Sequence, residues 1–533
     1  MVEHPTGRGH ITSNAQDVVA IRTTFEYDSR KVPSLNISQP RALLLLWLAL
    51  PLCASGPSAR IAAFLDASPV ARTSFWGVRI VSLDRERVLF ERNANRLFLP
   101  ASNAKLFTTA LALARLGPDY RFQTRVLADR TPGEDASVES LRLVGGGDPN
   151  LSGRAIPYRR DAPSGDPLAA IEDLAAQVAA RGVRSVSADI VGDDTAYVWQ
   201  PYADGWSIDD PVWDYGAAVS ALSINDNTLS VSVLPGSYES DPARIVLTPP
   251  VEYYDIDNRV RTAPSESKAE RKIMVERLPG ARQLRIWGAL PLKDPGDTEV
   301  LGIDDPALYA ACAFRDALAR RGIAIRGEAR AVHLYPNQVA DLKNGPAPEP
   351  ERGVELARRD STPLVEDLRI TDKVSQNLHA EMALRAVAKA RRHIGSREAG
   401  IAEQQAFLDE VGIDRASYTF ADGSGLSRLD LVTPAAVVRL LAHMYQSAGR
   451  DAWVSLLPVA GLDGTLHARF AGTAVAGRIF AKTGSLSNVA ALSGYARRSN
   501  GKMLAFSILV NNYNGPAADL RAAIDRVCAL MLE

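Results

Sequence analysis

The spacing of hydrophobic and polar residues divides the chain into stretches of different character. An apolar run over 42–53 is followed by small residues. Residues 60–66 read as a short helix, and 75–82 and 87–92 alternate as two strands around the turn Asp84-Arg85-Glu86. Pro100-Ala101-Ser102 leads into the apolar run 106–114, which predicts a buried helix with Ser102 in its first turn. From about residue 122 short strand-like runs, such as 140–144 and 187–191, alternate with turn-rich pieces. One amphipathic helix falls at 169–181, and 339–352 is rich in Pro, Asn, Gly and charge, as a linker is. Helical periodicity returns at 364, with Ser375-Gln376-Asn377 opening a helix that runs to 390, then helices at 403–411 and 434–445. Strands follow at 478–486, 489–496 and 502–510, the last two joined by a turn containing Asn500-Gly501, and 517–532 closes the chain as an amphipathic helix. This predicts an α+β fold. A helix-plus-antiparallel-sheet domain comes in two pieces, 59–121 and 351–533, around a strand-rich insertion at 122–350; 1–56 is an N-terminal extension.

Composition narrows the function classes. The 533 residues are 46% hydrophobic and 23% charged, enough apolar material for a large core. Net charge is -1, and no basic tract occurs, so nothing points to nucleic acid. Seven His without metal-ligand spacing, and no Cys-x-x-Cys, predict neither a metal nor another cofactor. Cys312 and Cys528 fall in helix-like segments and read as buried free thiols rather than a disulfide. Arginine dominates lysine, 51 to 10. Since Arg stays protonated and Lys can lose its proton when desolvated, each Lys is a clue to a needed amine.

The apolar run from Arg41 to Gly56 is too short to span a bilayer and suits a secretory signal, placing the mature protein in the periplasm. The 40 residues before it are polar and patternless, which points to a later start. Leu50-Pro51-Leu52-Cys53 looks like a lipoprotein site, but Leu52 is too large for the position before the Cys.

Three short motifs carry the chemistry: Ser102-Asn103-Ala104-Lys105, Ser375-Gln376-Asn377 and Lys482-Thr483-Gly484. A Ser hydroxyl is a poor nucleophile until a base removes its proton. Ser-x-x-Lys at a helix start puts both side chains on one face, within reach of each other. A second Lys and the helix N-terminus disfavour the ammonium form of Lys105, and the N-terminal N–H groups can hold an oxyanion. Ser375 can relay a proton to a leaving amine, and Asn377 can hold a substrate amide and orient Lys105. Lys482 and Thr483, on a strand edge, can bind a carboxylate while the backbone pairs with an extended peptide, and Gly484 leaves room for close approach. The set points to acyl transfer on a peptide ending in a free carboxylate. Local structure separates it from chance repeats. Ser265-x-x-Lys268 lies in a charged loop, Ser499-x-x-Lys502 spans a hairpin turn, and Ser-x-Asn recurs at Ser34 and Ser223 without opening a helix. Lys-Thr-Gly occurs once.

This trio, with 273 residues from Ser102 to Ser375 and 107 from Ser375 to Lys482, resembles the class C low-molecular-mass penicillin-binding proteins, the D-alanyl-D-alanine carboxypeptidase/endopeptidase family. The resemblance runs from about Ala59 to the C-terminus. It includes Asp422-Gly423-Ser424-Gly425-Leu426-Ser427-Arg428, Gly461-Leu462-Asp463-Gly464-Thr465-Leu466 and Gly145-Gly146-Gly147-Asp148-Pro149. The last reads by itself as a tight turn, since the Lys-Ser/Thr of a phosphate loop is missing. The resemblance implies a penicillin-binding transpeptidase/β-lactamase-like domain split by two nested β-rich domains. It implies acylation of Ser102 by the penultimate D-Ala carbonyl, with Lys105 as base, and a terminal carboxylate held by Lys482 and Thr483. The N–H groups of Ser102 and Ser485 would form the oxyanion hole, and water would release the product. Partners would be peptidoglycan stem peptides and β-lactams, with room for peripheral association with the envelope; the oligomeric state is left open. Competing readings are a β-lactamase-type hydrolase, for which the insertion is surplus, and an idle peptidoglycan-binding scaffold, which the intact motifs oppose. Tyr197, Trp199, Tyr202, Trp206, Trp213 and Tyr215 crowd a stretch that reads either as a packed loop or as a wall of the site. Within it Asp210 resembles the family's recognition point for a substrate amine, while Asp209 and Asp214 read as solvated acids.

Overall fold

The computed structural model of the protein describes residues 56–266, 272–278, 280–347 and 352–533. The export segment before Gly56, Cys53, Ser34, Lys268 and the end of the 339–352 linker lie outside the described residues. A five-stranded antiparallel sheet organises the body, in the order Ile479–Leu486, Val489–Arg497, Met503–Asn511, Phe75–Ser82, Arg87–Arg92. Strands from both ends of the chain thus share one sheet. Both faces are covered, and the period of two sorts the side chains. In Met503–Asn511, residues Leu504, Phe506, Ile508 and Val510 face a core with the helices Pro57–Ala67 and Ala517–Leu532. Ala505 and Leu509 face the other core, with Lys105–Leu116, Asn377–Arg392 and Pro434–Gln446.

The insertion has its own core. Its largest sheet runs Ala329–Leu334, Ile190–Val198, Leu141–Val144, Gln123–Ala128, Val354–Asp360. The helices Ala169–Ala180 and Pro306–Arg320 pack into this core, and among the described residues three smaller three-stranded sheets join it. Val354–Asp360 lies past residue 350, yet it pairs antiparallel with Gln123–Ala128. The outgoing strand therefore lies beside the incoming one, and the insertion leaves the body close to where it enters. Cys312 and Cys528 are both buried and unpaired, in different cores.

Two helix starts differ from the sequence expectation. Ser102 sits in a 3-10 turn, Ala101–Ala104, that feeds the α-helix beginning at Lys105. The second helix begins at Asn377; Gln376 caps it and Ser375 lies in the left-handed region at φ 65°. In both places the motif serine is carried by the irregular backbone just before a helix. Among the described residues no helix is long and apolar enough to cross a membrane.

Candidate active site

The Ser102 turn is clamped between two glycines. Ala101 adopts φ 48°, and a Cβ on Gly425 would stand 1.9 Å from its carbonyl oxygen. On the other side a Cβ on Gly484 would meet the Pro100 carbonyl at 2.8 Å. Only glycines let the loop at 422–428 and the Lys-Thr-Gly strand close on the turn. Asn103 Nδ2 donates to the Lys482 carbonyl at 3.1 Å, tying the turn to that strand.

Lys105 Nζ reaches three oxygens: Ser102 Oγ at 3.0 Å, Asn377 Oδ1 at 2.5 Å and the Ser424 carbonyl at 2.7 Å. Two of these can only accept a hydrogen bond, and the third belongs to a hydroxyl. A neutral amine has two N–H donors and one lone pair. It fits this set with its donors on Asn377 and Ser424 and its lone pair on the Ser102 proton. Burial lowers the Lys105 pKa to about 8, against the pull of Asp422, Glu381, Asp372 and Asp430. The expectation from sequence assigned this shift to a second Lys and a helix N-terminus. Burial instead is the main cause, and the lysine–lysine repulsion appears on the partner: Lys482 is lowered by burial and then by Lys105.

Lys482 Nζ donates to Ser375 Oγ at 2.8 Å and to the Thr483 carbonyl at 2.9 Å. Asp372 stands against this pair, its pKa raised by burial and pulled back by Lys482, and it accepts from Thr109 Oγ1 at 3.1 Å. Thr483 Oγ1 donates to Thr465 Oγ1 at 2.8 Å. The loop before Thr465 is pinned by Lys373 Nζ on Asp463 at 2.6 Å and by the Gly464 N–H on Tyr158 Oη at 3.3 Å. Asn377 Nδ2 donates to the Tyr215 carbonyl at 2.8 Å, so the insertion touches the site directly.

The motif residues thus meet as two linked pairs, Ser102–Lys105 and Ser375–Lys482, with Asn377 on Lys105. Thr483 and the exposed Ser485 line the strand edge beside them. Asp210 lies on the adjoining loop and is buried. Its Oδ2 accepts the Ser207 N–H at 2.8 Å, and its carboxylate engages the Tyr215 hydroxyl. Asp209 and Asp214 are exposed. The aromatic stretch divides between both readings. Trp206 Nε1 donates to Asp422 at 2.9 Å and Tyr215 meets Asn377, whereas Tyr197 is buried and Trp199 stacks on His333. The chance repeats stand elsewhere: Ser223 is buried in the insertion, and Lys502 pairs with Asp84 at 2.9 Å.

Sequence reasoning missed the buried acids. Asp372 continues the core-facing register of Leu364 and Leu368, four residues apart each time, and a carboxylate there is a legible anomaly. Glu381 stands four residues after Asn377 on the same helix face. Asp422 caps its own loop, accepting from Ser424 and Gly425 N–H at 3.0 and 2.6 Å and from Ser427 N–H at 2.8 Å. Among the described residues no group of three or more His, Cys, Asp or Glu is placed to hold a metal.

The sequence matches the family described as D-Ala-D-Ala carboxypeptidase 3 (S13) over residues 58–531. It is 35% identical over 461 residues to the D-alanyl-D-alanine carboxypeptidase of Actinomadura sp. (strain R39), covering 84% of this chain and 80% of that one. It is 32% identical over 466 residues to carboxypeptidase DacB of Mycolicibacterium smegmatis, covering 85% and 79%. The crystal structure of penicillin binding protein 4 from Haemophilus influenzae superposes with a TM-score of 0.74 at 23% identity, covering 88% of this chain and 98% of that one.

Proposed function

We propose, for a chain that belongs to the D-Ala-D-Ala carboxypeptidase 3 (S13) family, that Ser102, Lys105, Ser375, Asn377 and Lys482 carry the reaction. The protein is a serine-type D-Ala-D-Ala carboxypeptidase, a low-molecular-mass class C penicillin-binding protein. The observation that carries our assignment is the Lys105 amine, held by two fixed acceptors with the Ser102 hydroxyl as its third neighbour.

Neutral Lys105 takes the Ser102 proton as Oγ attacks the penultimate D-Ala carbonyl. The backbone N–H groups of Ser102 and Ser485 receive the developing oxyanion. Ser375, hydrogen-bonded to Lys482, delivers its proton to the departing D-Ala amine and takes in exchange the one Lys105 removed from Ser102, which leaves Lys105 neutral again. Lys482 and Thr483 hold the terminal carboxylate, and Gly484 lets the substrate backbone approach the strand. Asn377 orients Lys105 and holds the substrate amide. Water then attacks the Ser102 ester, with Lys105 again the base. A β-lactam acylates Ser102 by the same steps. The acyl-enzyme route also admits the amine of a cross-linked neighbour as leaving group, so DD-endopeptidase activity on peptidoglycan accompanies the carboxypeptidase. Asp210, on the loop that presents Tyr215 to Asn377, takes part in binding the stem-peptide side chain. The substrate lies outside the cytoplasm, in keeping with an export segment at 41–56 and a periplasmic enzyme.

The test is labelling with a fluorescent penicillin, comparing parent, Ser102→Ala and Ser265→Ala. A stable adduct lost only in Ser102→Ala is the expected result. No adduct, with penicillin vanishing from solution, would move the protein to the β-lactamases. No adduct and no turnover would leave an idle scaffold.

A further inference from the structure

The tripeptide Asn225-Asp226-Asn227 runs through the left-handed region at every residue, with φ of 48°, 57° and 53°. Non-glycine residues pay for this conformation, and consecutive ones persist only where surrounding contacts enforce it. Those contacts are present. Asn225 Nδ2 donates to the Thr228 carbonyl at 2.9 Å, Asn227 Nδ2 to the Ala218 carbonyl at 2.8 Å, and the Asn225 N–H to the Leu151 carbonyl at 3.0 Å. The turn projects the Asp226 carboxylate out of the insertion and onto the start of the helix Asn377–Arg392.

There Asp226 meets three side chains. Arg154 forms a two-nitrogen ion pair with it. His379 Nε2 lies 3.1 Å from Oδ1, and Gln376 Nε2 donates to Oδ2 at 3.0 Å. The other His379 nitrogen stands 2.6 Å from Asp367 Oδ1, an ion contact rather than an aligned hydrogen bond. Asn150 Nδ2 donates to the same Asp367 oxygen at 3.0 Å, and its own N–H is held by Asp148 at 2.9 Å. The Gly145-Gly146-Gly147-Asp148-Pro149 turn therefore belongs to this cluster. Gln376 is the joint between cluster and site. Its Oε1 caps the helix on the Leu378 N–H at 3.1 Å while its Nε2 reaches Asp226. Its chain neighbours are Ser375, on Lys482, and Asn377, on Lys105.

We propose that Asp226 is a positioning residue for acylation: through Gln376 it holds Ser375 and Asn377 in register with Lys482 and Lys105, so that the insertion completes the catalytic centre. The proposal rests on Ser375 and Asn377 acting in that step, as assigned above. Ser375 sits in a left-handed conformation with nothing in its own sequence to favour it. A side-chain amide fixed at both ends supplies the missing restraint from the next residue.

The decisive variant is Gln376→Asn. Asn is a good helix cap, so the cap survives, but it is one methylene too short to reach Asp226. Initial rates of D-Ala release from a peptide ending in D-Ala-D-Ala, with thermal unfolding of each variant, form the test. Gln376→Asn should lower kcat about tenfold or more, as a small misplacement of reacting groups does, with KM and the unfolding midpoint near the parent values. Asp226→Ala should lose at least as much, and the double variant should be no slower than Asp226→Ala, because both cut one linkage. A parent-like kcat in Gln376→Asn overturns the proposal even if Asp226→Ala fails to fold. So does a double variant whose loss is the product of the two single losses. Ser375→Ala separates this from the site assignment: if it retains full kcat, that assignment falls; if it is slow while Gln376→Asn is normal, only the positioning role falls.

Discussion

The helix Asn377–Arg392 carries buried charge on two opposite sides, and the two sides behave in opposite ways. Asn377 and Glu381 are one turn apart and face Lys105 and the loop at 422–428. His379, about 200° around the helix from Asn377, faces the insertion. On the first side the lysines hydrogen-bond hydroxyls, an amide and carbonyls, while the acids stand back from them. Burial wins there, and both amines are pushed down. On the second side burial also opposes the charge, but carboxylates lie in direct contact. His379 is raised to about 9, chiefly by Asp367 and Asp226, and Asp226 is held well below the usual carboxylate range by His379 and Arg154 against its own burial. Depth alone does not decide whether a buried cation becomes a base or a brace. On this helix the two sides differ in whether carboxylates lie in direct contact with the cation.

The largest effect that could break this comparison is on Lys105. Lys105→Arg keeps a cation of similar length but cannot supply a neutral nitrogen. Stopped-flow acylation by a penicillin should slow about a thousandfold, the scale of a lost general base. A loss under tenfold would mean that the amine works as a charge, as on the His379 side.

Stability should show the inverse pattern. His379→Phe leaves Asp226 with Arg154 but takes from buried Asp367 the imidazolium beside it, and urea unfolding should register a loss of about 3 kcal/mol. Lys482→Met removes a cation whose burial is unfavourable. Asp372, already raised, can take up a proton in its place. Stability should then stay within about 1 kcal/mol of the parent, while D-Ala release falls about a hundredfold. Equal destabilisation by both substitutions would erase the distinction between the two sides.

The two sides also differ in how far they could be read from sequence. Ser102 and Lys105 meet because residues three apart share a helix face, and local spacing was sufficient. The Lys-Thr-Gly strand was equally legible, since alternation and one hairpin turn locate 479–511. The loops at 422–428 and 461–466 stood out in the sequence, but only the fold gives them tasks: the Ser424 carbonyl on Lys105, and Thr465 on Thr483. The His379 side was illegible. Asp148, Asp226 and Asp367 are far apart in the chain, and nothing local marks Asn225-Asp226-Asn227 as left-handed. Ser223-x-Asn225 even repeats a catalytic spacing by chance. Strand Val354–Asp360 was hidden for the same reason, because its partner is more than two hundred residues earlier.

The smallest effect expected is also the most direct reading of the Lys105 amine. With neutral Lys105 as the proposed base, the acylation rate should rise with pH and level off above about 8. Below that value the neutral fraction falls, and the rate should drop about tenfold per pH unit. Glu381 opposes the effect of burial on Lys105, and its Oε1 accepts the Gly423 N–H at 2.7 Å. Glu381→Gln keeps that acceptor and removes the negative charge. With less charge to stabilise the ammonium, Lys105 should give up its proton more readily, and the limb should move to lower pH. Acylation by a penicillin, measured from pH 6 to pH 10 in both proteins, reads the shift. A limb that stays in place would mean that Glu381 shapes the loop without tuning the base, and one that moves upward would place the titrating group outside the Lys105 cluster.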